Sequence, residues 1–226
     1  MNPLDLSYEK RLLTKGYRVI AGIDEVGRGA IAGPVVAAAV ILPQDLPFHK
    51  YLKDSKAVEE KKRKQVVQWL LKEGRISFGL GFSFVEEIDR INIHGSCLLA
   101  MRRAISCLEE RPDILLVDGI FSPPHLSIPS LTIVGGDAKV ASIAAASLVA
   151  KVSRDSWMVK LSSLYPEYGW EKNKGYGTAN HFESLRTKGL SPYHRKSFLV
   201  KRLHLAKSSN YEMDLYSELD KEKKFF

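Results

Sequence analysis

Cysteine is nearly absent, because the 226 residues contain only Cys97 and Cys107. The two form no CxxC pair, and no histidine stands at the spacing of a zinc site, so the sequence excludes a disulfide framework and a structural zinc site. Both lie in a segment with helical periodicity, and we predict two buried free thiols. Free thiols fit the reducing environment of the cytoplasm.

Long apolar runs are absent as well. The longest, residues 31–42, is too short to span a bilayer and contains Gly33 and Pro34, so we predict a buried strand there. Residues 1–16 carry charges throughout and lack the apolar segment of a signal peptide. We therefore expect a cytoplasmic protein.

Negative charge is the scarcer sign, with 26 acidic residues against 34 basic ones, a net charge of +8 and a pI near 9.4. This excess favours a polyanionic partner such as nucleic acid, although a merely basic soluble protein has the same composition. Hydrophobic residues make up 45% and charged residues 27%, which indicates a globular chain with a sizeable core. Internal repeats and low-complexity linkers are lacking, so the length suits one compact domain with a short appendage, or at most two small domains.

The hydrophobic pattern predicts strands and helices in an α/β order. Apolar or alternating segments predict strands over residues 17–23, 35–42, 75–85, 114–117 and 131–134. Amphipathic or alanine-rich segments predict helices over residues 57–73, 92–110 and about 140–164. Three strands in succession, followed by helix, strand, loop, strand and helix, indicate a mixed α/β sheet.

Four carboxylates follow the predicted core strands, namely Asp24, Glu25, Asp118 and Asp137. In an open α/β sheet the strand ends are where sites assemble. Carboxylates that converge there repel one another unless a cation lies between them, and hard divalent ions such as Mg²⁺ take oxygen ligands. Taken singly, Asp118 and Asp137 fit turns, and Asp137 also fits a helix cap. Taken together, the four favour a divalent-metal site suited to phosphodiester chemistry.

Asp155 lies in the predicted helix that follows Asp137. Because a helix rises about 1.5 Å per residue, Asp155 is too far along it to join the other carboxylates. We expect it to pair with Lys151, one turn earlier on the same helix.

A glycine-rich turn, Gly27, Arg28 and Gly29, follows the acidic pair. It does not fit a dinucleotide-binding fingerprint, because the next glycine, Gly33, comes one position too late and a strand follows instead of a helix. The turn suits close approach of backbone to a ligand, with Arg28 as a hydrogen-bond donor, or else a plain connection between strands.

Three further segments combine cations with polar or aromatic groups. Ser55 and Lys56 precede a predicted helix, where Ser55 suits either an N-cap or contact with a phosphate. Residues 172–181 place Tyr176 beside cations and glycines, which suits stacking on a sugar or base, or a generic flexible loop. Residues 194–196 form a basic cluster, which we interpret as a solvated helix face.

The order of these motifs resembles the ribonuclease HII family over roughly residues 18–202. The matching segments are GIDEVGRG at 22–29, AGPVVAAAVI at 32–41, DSK at 54–56, INI at 91–93, AMRRA at 100–104, VDG at 117–119, GD at 136–137, SIAAAS at 142–147, AK at 150–151, RD at 154–155, GY at 175–176 and HRKSF at 194–198.

The resemblance implies a ribonuclease H-like fold, an α/β five-stranded mixed sheet flanked by helices, with a C-terminal helical extension. We expect one catalytic domain over residues 1–204, including that helical part, and the mixed-charge composition from residue 205 predicts a charged tail over 205–226. The implied activity is hydrolysis of the RNA strand of RNA–DNA hybrids. Cleavage falls 5′ to ribonucleotides at RNA–DNA junctions, including a single ribonucleotide embedded in DNA. The products are a 3′-hydroxyl and a 5′-phosphate, and the cofactor is Mg²⁺ or Mn²⁺.

The resemblance also implies roles for individual residues. It makes Asp24, Glu25, Asp118 and Asp137 the metal-binding catalytic carboxylates. It further implies that the turn of Gly27, Arg28 and Gly29 reads the ribose 2′-hydroxyl, that Tyr176 stacks on the sugar of the following deoxynucleotide, and that Ser55 and Lys56 lie near the substrate backbone.

Two departures from the family pattern stand out. Residues 30–31 are Ala-Ile where Pro-Leu is frequent, and Gly177 follows Tyr176 where proline is frequent. The second puts in doubt how firmly the Tyr176 loop is held. We expect a monomer with no obligatory protein partner. Two alternatives stay open, another ribonuclease H-like nuclease that acts on DNA without a ribonucleotide, and a hybrid-binding protein with an inactive metal site.

Overall fold

The computed structural model of the chain describes residues 4, 6–46, 52, 58–72 and 76–203. Its five strands are β1 (Ile20–Val26), β2 (Val35–Ile41), β3 (Ser77–Ser83), β4 (Ile114–Asp118) and β5 (Ser130–Ile133). They form one sheet in the order β3-β2-β1-β4-β5. The pairs β1–β2 and β2–β3 are antiparallel, whereas β1–β4 and β4–β5 are parallel. The predicted five-stranded mixed sheet is confirmed.

The helices are α1 (Ser7–Leu13), α2 (Glu60–Lys72), α3 (Val85–Ser106), α4 (Ala141–Ser162), α5 (Trp170–Asn173), α6 (Ala179–Lys188) and α7 (Lys196–Leu203). Residues up to 195 belong to one compact unit, and α7 belongs to a second. No helix among the described residues is long and apolar enough to cross a membrane.

Helices cover both faces of the sheet. Leu80 of β3 packs into the core cluster that contains Ala144 and Leu148 of α4. A Cβ placed on its neighbour Gly81 would lie 1.9 Å from the carbonyl oxygen of Ala100 in α3. Since successive strand residues point to opposite faces, α4 and α3 lie on opposite sides of the sheet.

Most predicted element boundaries shift by one to three residues, and larger or functionally relevant differences occur at three places. Asp24 and Glu25 lie inside β1 rather than after it, and Asp118 is the last residue of β4. The helix predicted from residue 92 begins at Val85, but Asn92 interrupts it with φ 62° and ψ 172°. The Asn92 Oδ1 accepts hydrogen bonds from the backbone N–H groups of His94 and Gly95 at 2.9 and 3.1 Å. The sequence pattern therefore found the second segment of a kinked helix, which Asn92 caps.

The two cysteines are both free, as predicted, but only Cys97 is buried. Cys107 is exposed, so that part of the prediction is wrong. The reason is that α3 ends at Ser106, and Cys107 is its C-cap residue rather than part of its buried face.

An N-terminal helix that the sequence pattern did not indicate supports the start of α4. Glu9 of α1 is buried, and its Oε1 accepts hydrogen bonds from the backbone N–H and the hydroxyl of Ser142 at 2.9 and 2.7 Å. A carboxylate at this position stabilises the first turn of α4, where unpaired N–H groups and the helix dipole favour negative charge.

Gly22 sets how closely α4 approaches the central strand. A Cβ on Gly22 would lie 2.2 Å from the carbonyl carbon of Ser142 and 2.3 Å from the backbone nitrogen of Ile143. Those atoms belong to the backbone of α4, so no side-chain rotation can relieve the clash. The contact therefore requires glycine.

We predict that Gly22→Ala lowers the free energy of unfolding by about 3 kcal/mol, because α4 must shift away from β1. Urea denaturation followed by circular dichroism measures it. Gly95→Ala is the matched control, since a Cβ there meets only ordinary contacts of 3.5 Å or more. Equal stability of the two variants would contradict the close approach.

Candidate active site

The four predicted carboxylates belong to one edge of the sheet. Asp24 and Glu25 lie near the end of β1, Asp118 ends β4, and Asp137 lies in a single 3₁₀ turn, Gly136–Ala138, shortly after β5. Strands β1, β4 and β5 are parallel, so their carboxyl ends share that edge. Ile23 pairs with Val117, which puts Asp24 beside Asp118 in the register.

Hydrogen bonds hold these carboxyl groups in place. The Asp24 side chain accepts a hydrogen bond from the backbone N–H of Glu25 at 2.7 Å and another from the Ser147 hydroxyl of α4. The Asp118 Oδ1 accepts one from the backbone N–H of Gly136 at 2.7 Å. That bond ties the end of β4 to the turn that carries Asp137.

The charges at this edge repel one another. Burial raises the pKa of Asp24 well above its usual value, and the nearby charges of Glu25 and Asp118 raise it further. Burial also raises the pKa of Glu25, although the hydrogen bond and charge of Arg28 oppose that effect. Asp24 and Asp137 are buried, whereas Glu25 and Asp118 are half-buried.

This donor set fits a divalent cation, since it consists of hard carboxylate oxygens whose mutual repulsion a cation would relieve. Among the described residues, no three His, Cys, Asp or Glu side chains already stand in the geometry of a bound ion. The Glu25 carboxylate instead forms an ion pair with Arg28, with 3.0 Å between Oε1 and Nη1. The fit therefore rests on the chemistry and charge of the ligands.

The glycine-rich turn lies between these carboxylates and Tyr176. Arg28 contacts Glu25, and a Cβ built on Gly29 would lie 4.0 Å from Cε1 of Tyr176. The backbone N–H groups of Ile31 and Ala32 donate to the carbonyl of Gly175 at 2.9 and 3.1 Å. The glycine-rich turn and the loop that carries Tyr176, which are far apart in the sequence, therefore form one continuous surface.

Two buried arginines hold this surface from beneath. Arg154 donates to the carbonyls of Pro34, Lys174 and Ala32, and its guanidinium lies 5.5 Å from the ring centre of Tyr176. Arg195 donates to the carbonyls of Gly33 and Arg28. A buried guanidinium is costly unless its N–H groups are paired, and each of these has several carbonyl acceptors.

The prediction of a solvated basic face over residues 194–196 is wrong for two of its three residues. His194 and Arg195 are 1% and 0% exposed, and burial lowers the pKa of Arg195 to about 9. Sequence reasoning also gave Arg154 no role beyond its place in a family motif. Its neighbours one turn away on α4, Ala150 and Met158, are both apolar, and this spacing in the sequence could have predicted that Arg154 lies on a buried helix face.

The remaining predicted residues separate into three groups. Asp155 pairs with Lys151 at 2.7 Å, which confirms its structural role away from the carboxylate edge. The segment over residues 172–181 is not a generic loop, because Lys174 and His181 are buried and the segment spans the end of α5 and the start of α6. Ser55 and Lys56 lie outside the described residues.

Comparison with known proteins identifies the family. The family model described as ribonuclease HII matches residues 21–204. The chain is 50% identical over 193 residues to the ribonuclease HII of Chlamydia pneumoniae, with 85% of this chain and 89% of that protein covered. The chain belongs to the ribonuclease HII family. It is a type 2 ribonuclease H, a metal-dependent endoribonuclease acting on RNA–DNA substrates.

Two solved structures share the fold. One is the ribonuclease H2 of Pyrococcus horikoshii OT3, with a TM-score of 0.64 and 23% identity, covering 80% of this chain and 93% of that one. The other is Bst-RNase HIII in complex with Mn²⁺, with a TM-score of 0.62 and 20% identity, covering 84% and 70%. The ribonuclease H-like fold is therefore confirmed.

We predict that Asp24→Asn stabilises the metal-free protein. Because the folded-state pKa of Asp24 is raised, ionisation of this group costs stability as the pH rises from the usual aspartate value through the raised one. In EDTA at pH 8, the variant should melt at least about 2 °C above the unmodified protein. Adding Mn²⁺ should then stabilise the unmodified protein more than the variant.

Thermal denaturation in both buffers tests this prediction, with Glu109→Gln as the control for loss of one negative charge at an exposed position. Equal melting temperatures in EDTA would show that ionisation of Asp24 does not destabilise the folded protein. Equal stabilisation by Mn²⁺ would show that Asp24 is not a metal ligand.

Proposed function

We propose that this chain cuts on the 5′ side of a ribonucleotide at an RNA–DNA junction, including a single ribonucleotide embedded in duplex DNA. The products would be a 3′-hydroxyl and a 5′-phosphate. The observation that carries this proposal is the unbroken surface from Glu25 through Arg28 and Gly29 to the ring of Tyr176. Along this surface, a carboxylate proposed to be catalytic lies beside the exposed glycine-rich turn, and the turn lies beside an aromatic ring.

Asp24, Glu25, Asp118 and Asp137 are the proposed catalytic carboxylates and the ligands of Mg²⁺ or Mn²⁺. When bound, such ions activate the attacking water and stabilise the leaving 3′-oxygen. The hydrogen bonds from Glu25 N–H, Ser147 and Gly136 N–H orient the carboxyl oxygens before any ion arrives. The Mn²⁺ complex of a ribonuclease HIII with the same fold supports this class of cofactor.

The turn of Gly27, Arg28 and Gly29 is the proposed reader of the ribose 2′-hydroxyl, the group that distinguishes RNA from DNA. Arg28 and Gly29 are exposed, so backbone groups of the turn can reach a ribose. Gly27 has φ 94°, and a Cβ there would lie 2.3 Å from Nε of Arg154. Only glycine fits that position, and it lets the turn lie directly on the buried arginine.

Tyr176 is the proposed stacking platform for the sugar of the next deoxynucleotide. Its loop is held although Gly177 replaces the frequent proline. The backbone N–H of Tyr176 donates to the carbonyl of Asn173 at 2.9 Å, and its carbonyl accepts the N–H of Thr178 at 2.9 Å. These two hydrogen bonds support the proposal that the loop is held without a proline at residue 177.

The proposed partners are RNA–DNA hybrids and duplex DNA that contains ribonucleotides, bound by a monomer in the cytoplasm. Ser55 and Lys56 are proposed to lie near the substrate backbone. The catalytic domain is proposed to span residues 1–204, including a C-terminal helical part, with a charged tail over 205–226. The net charge of +8 suits binding to a polyanion.

The test is cleavage of an end-labelled DNA duplex that contains one ribonucleotide, beside an all-DNA duplex and a long RNA–DNA hybrid, with Mg²⁺, Mn²⁺ or EDTA. We expect metal-dependent cleavage immediately 5′ to the ribonucleotide and an intact all-DNA control. Cleavage of the long hybrid alone would refute the proposed roles of Tyr176 and the turn. Cleavage of the all-DNA duplex would instead indicate another nuclease of this fold.

We also predict that Asp118→Asn reduces cleavage at least about 100-fold, because it removes a charged ligand while keeping an oxygen that can accept the Gly136 N–H. Hybrid binding, measured by fluorescence anisotropy in Ca²⁺ or EDTA, should change less than about threefold. Glu109→Gln is again the control. Normal cleavage by a folded Asp118→Asn variant would remove Asp118 from the catalytic set.

A further inference from the structure

Two buried histidines lie beneath the Tyr176 loop, away from the carboxylates. His181, in the first turn of α6, is 0% exposed, and His194 is 1% exposed. Their Nε2 atoms are 3.0 Å apart. A contact of that length between two imidazoles requires that one nitrogen carries the proton and the other accepts it.

The neighbours of His181 determine where its proton lies. Its Nδ1 is 2.9 Å from the carbonyl oxygen of Tyr176, which can only accept a hydrogen bond. Its Nε2 accepts a hydrogen bond from the indole N–H of Trp170 at 3.1 Å. His181 is therefore neutral, with its proton on Nδ1.

His194 must have the opposite tautomer. Its Nδ1 accepts the backbone N–H of Ser191 at 2.9 Å, so that atom carries no proton. The Ser191 hydroxyl lies 2.9 Å from the same atom. The proton of a neutral His194 then lies on Nε2, directed at Nε2 of His181. Burial lowers the pKa of both rings, that of His194 to about 3, which favours this neutral pair.

The pair connects the two proposed substrate-reading segments. At one end, His181 holds the carbonyl of Tyr176. At the other end, His194 forms a β-bridge with Ala32, and the next residue, Arg195, donates to the carbonyl of Arg28 at 3.0 Å. A chain of hydrogen bonds and backbone pairing therefore runs from the Tyr176 loop to the glycine-rich turn.

We infer that His181 is a positioning residue for Tyr176, whose Nδ1–H fixes the tyrosine carbonyl and with it the distance between the aromatic ring and the turn that reads the 2′-hydroxyl. The inference rests on the proposed function. A ring held one nucleotide step from the turn lies against the next sugar. Stacking on that sugar favours one without a 2′-hydroxyl, which is the difference between a junction and a continuous RNA strand.

Amide substitutions separate this role from simple packing. Asparagine places an amide N–H close to the position of Nδ1 and can still donate to the Tyr176 carbonyl. Glutamine places its amide close to the position of Nε2, so the Tyr176 carbonyl loses its side-chain donor and keeps only the backbone N–H of Thr178. Ser184→Ala is the control in the same helix, because it removes hydrogen bonds to the Glu167 and Asn180 carbonyls and none to Tyr176.

The measured quantity is the rate of cleavage at one embedded ribonucleotide divided by the rate on a long hybrid. We expect His181→Gln to lower this ratio about fivefold, while His181→Asn and Ser184→Ala stay within about twofold of the unmodified protein. Tyr176→Ala should lower the ratio as well, and His181→Gln added to Tyr176→Ala should lower it no further. A structural defect alone would reduce both rates together and leave the ratio unchanged.

The outcomes distinguish this inference from the proposed function. If the unmodified protein shows no junction cleavage, or Tyr176→Ala keeps the ratio, the proposed function fails. If Tyr176→Ala lowers the ratio but His181→Gln does not, or the Gln and Asn variants lower it equally, the positioning role is overturned. ¹⁵N NMR of histidine-labelled unmodified protein at pH 7 tests it without any variant. The inference requires the Nδ1–H tautomer for His181 and the Nε2–H tautomer for His194, and any other assignment overturns it.

Discussion

The buried guanidinium of Arg154 is the interaction on which the arrangement of the site depends. A buried cation without acceptors would cost several kcal/mol, yet Arg154 has three backbone carbonyls as partners, from Ala32, Pro34 and Lys174. Those carbonyls come from the segment just before β2 and from the loop that carries Tyr176. A single side chain from α4 therefore joins two segments that have no sequence proximity.

The glycines around Arg154 follow from this arrangement. A Cβ on Gly27 would lie 2.3 Å from its Nε, and a Cβ on Gly33 would lie 2.4 Å from the sulfur of Met158, one turn further along α4. Both glycines also have positive φ values, 94° and 79°. The turn that contacts Glu25 through Arg28 thus owes its shape to what lies under it. The buried side chains of α4 therefore determine the backbone conformation of the exposed turn above them.

The carboxylate edge has the opposite character, because its groups are crowded without full compensation. The charges of Glu25 and Asp118 raise the pKa of Asp24, and the charge of Asp118 also raises that of Glu25, which Arg28 partly offsets. Backbone pairing places Asp24 beside Asp118 in the sheet, and hydrogen bonds from the Glu25 N–H and the Ser147 hydroxyl hold the Asp24 carboxylate there. A divalent cation bound between these carboxylates would relieve their mutual repulsion, and this relief favours binding of the ion. The neighbouring surface has a different character, because backbone carbonyls accept hydrogen bonds from both buried arginines, Arg154 and Arg195.

The sequence by itself determined the α/β class, the approximate strands, the family and the four carboxylates. Short apolar segments followed by acidic residues are local features, so they can be recognised without knowing how the elements pack. It did not predict that Asp24 and Glu25 continue β1, because strand ends depend on pairing with β2 through Val26. The kink at Asn92 and the helix α1 also escaped, since each depends on local capping or on a buried carboxylate that binds a distant helix.

Only the tertiary structure decided the roles of Arg154, His181, His194 and Arg195. Periodicity assigns charged and polar residues to the surface, because a polar group is buried only where acceptors or donors wait for it. For the two arginines the partners lie far along the chain, 120 positions from Arg154 to Pro34 and 167 from Arg195 to Arg28. The two histidines have partners within 13 positions, but the sequence pattern does not show that these side chains point at one another. For Arg154 the apolar residues one turn away on α4 indicate a buried face, but nothing near it in the sequence identifies the carbonyls that accept its hydrogen bonds. For that physical reason the family and its class of activity could be predicted from the sequence, whereas the buried support of the surface proposed to read the substrate could not.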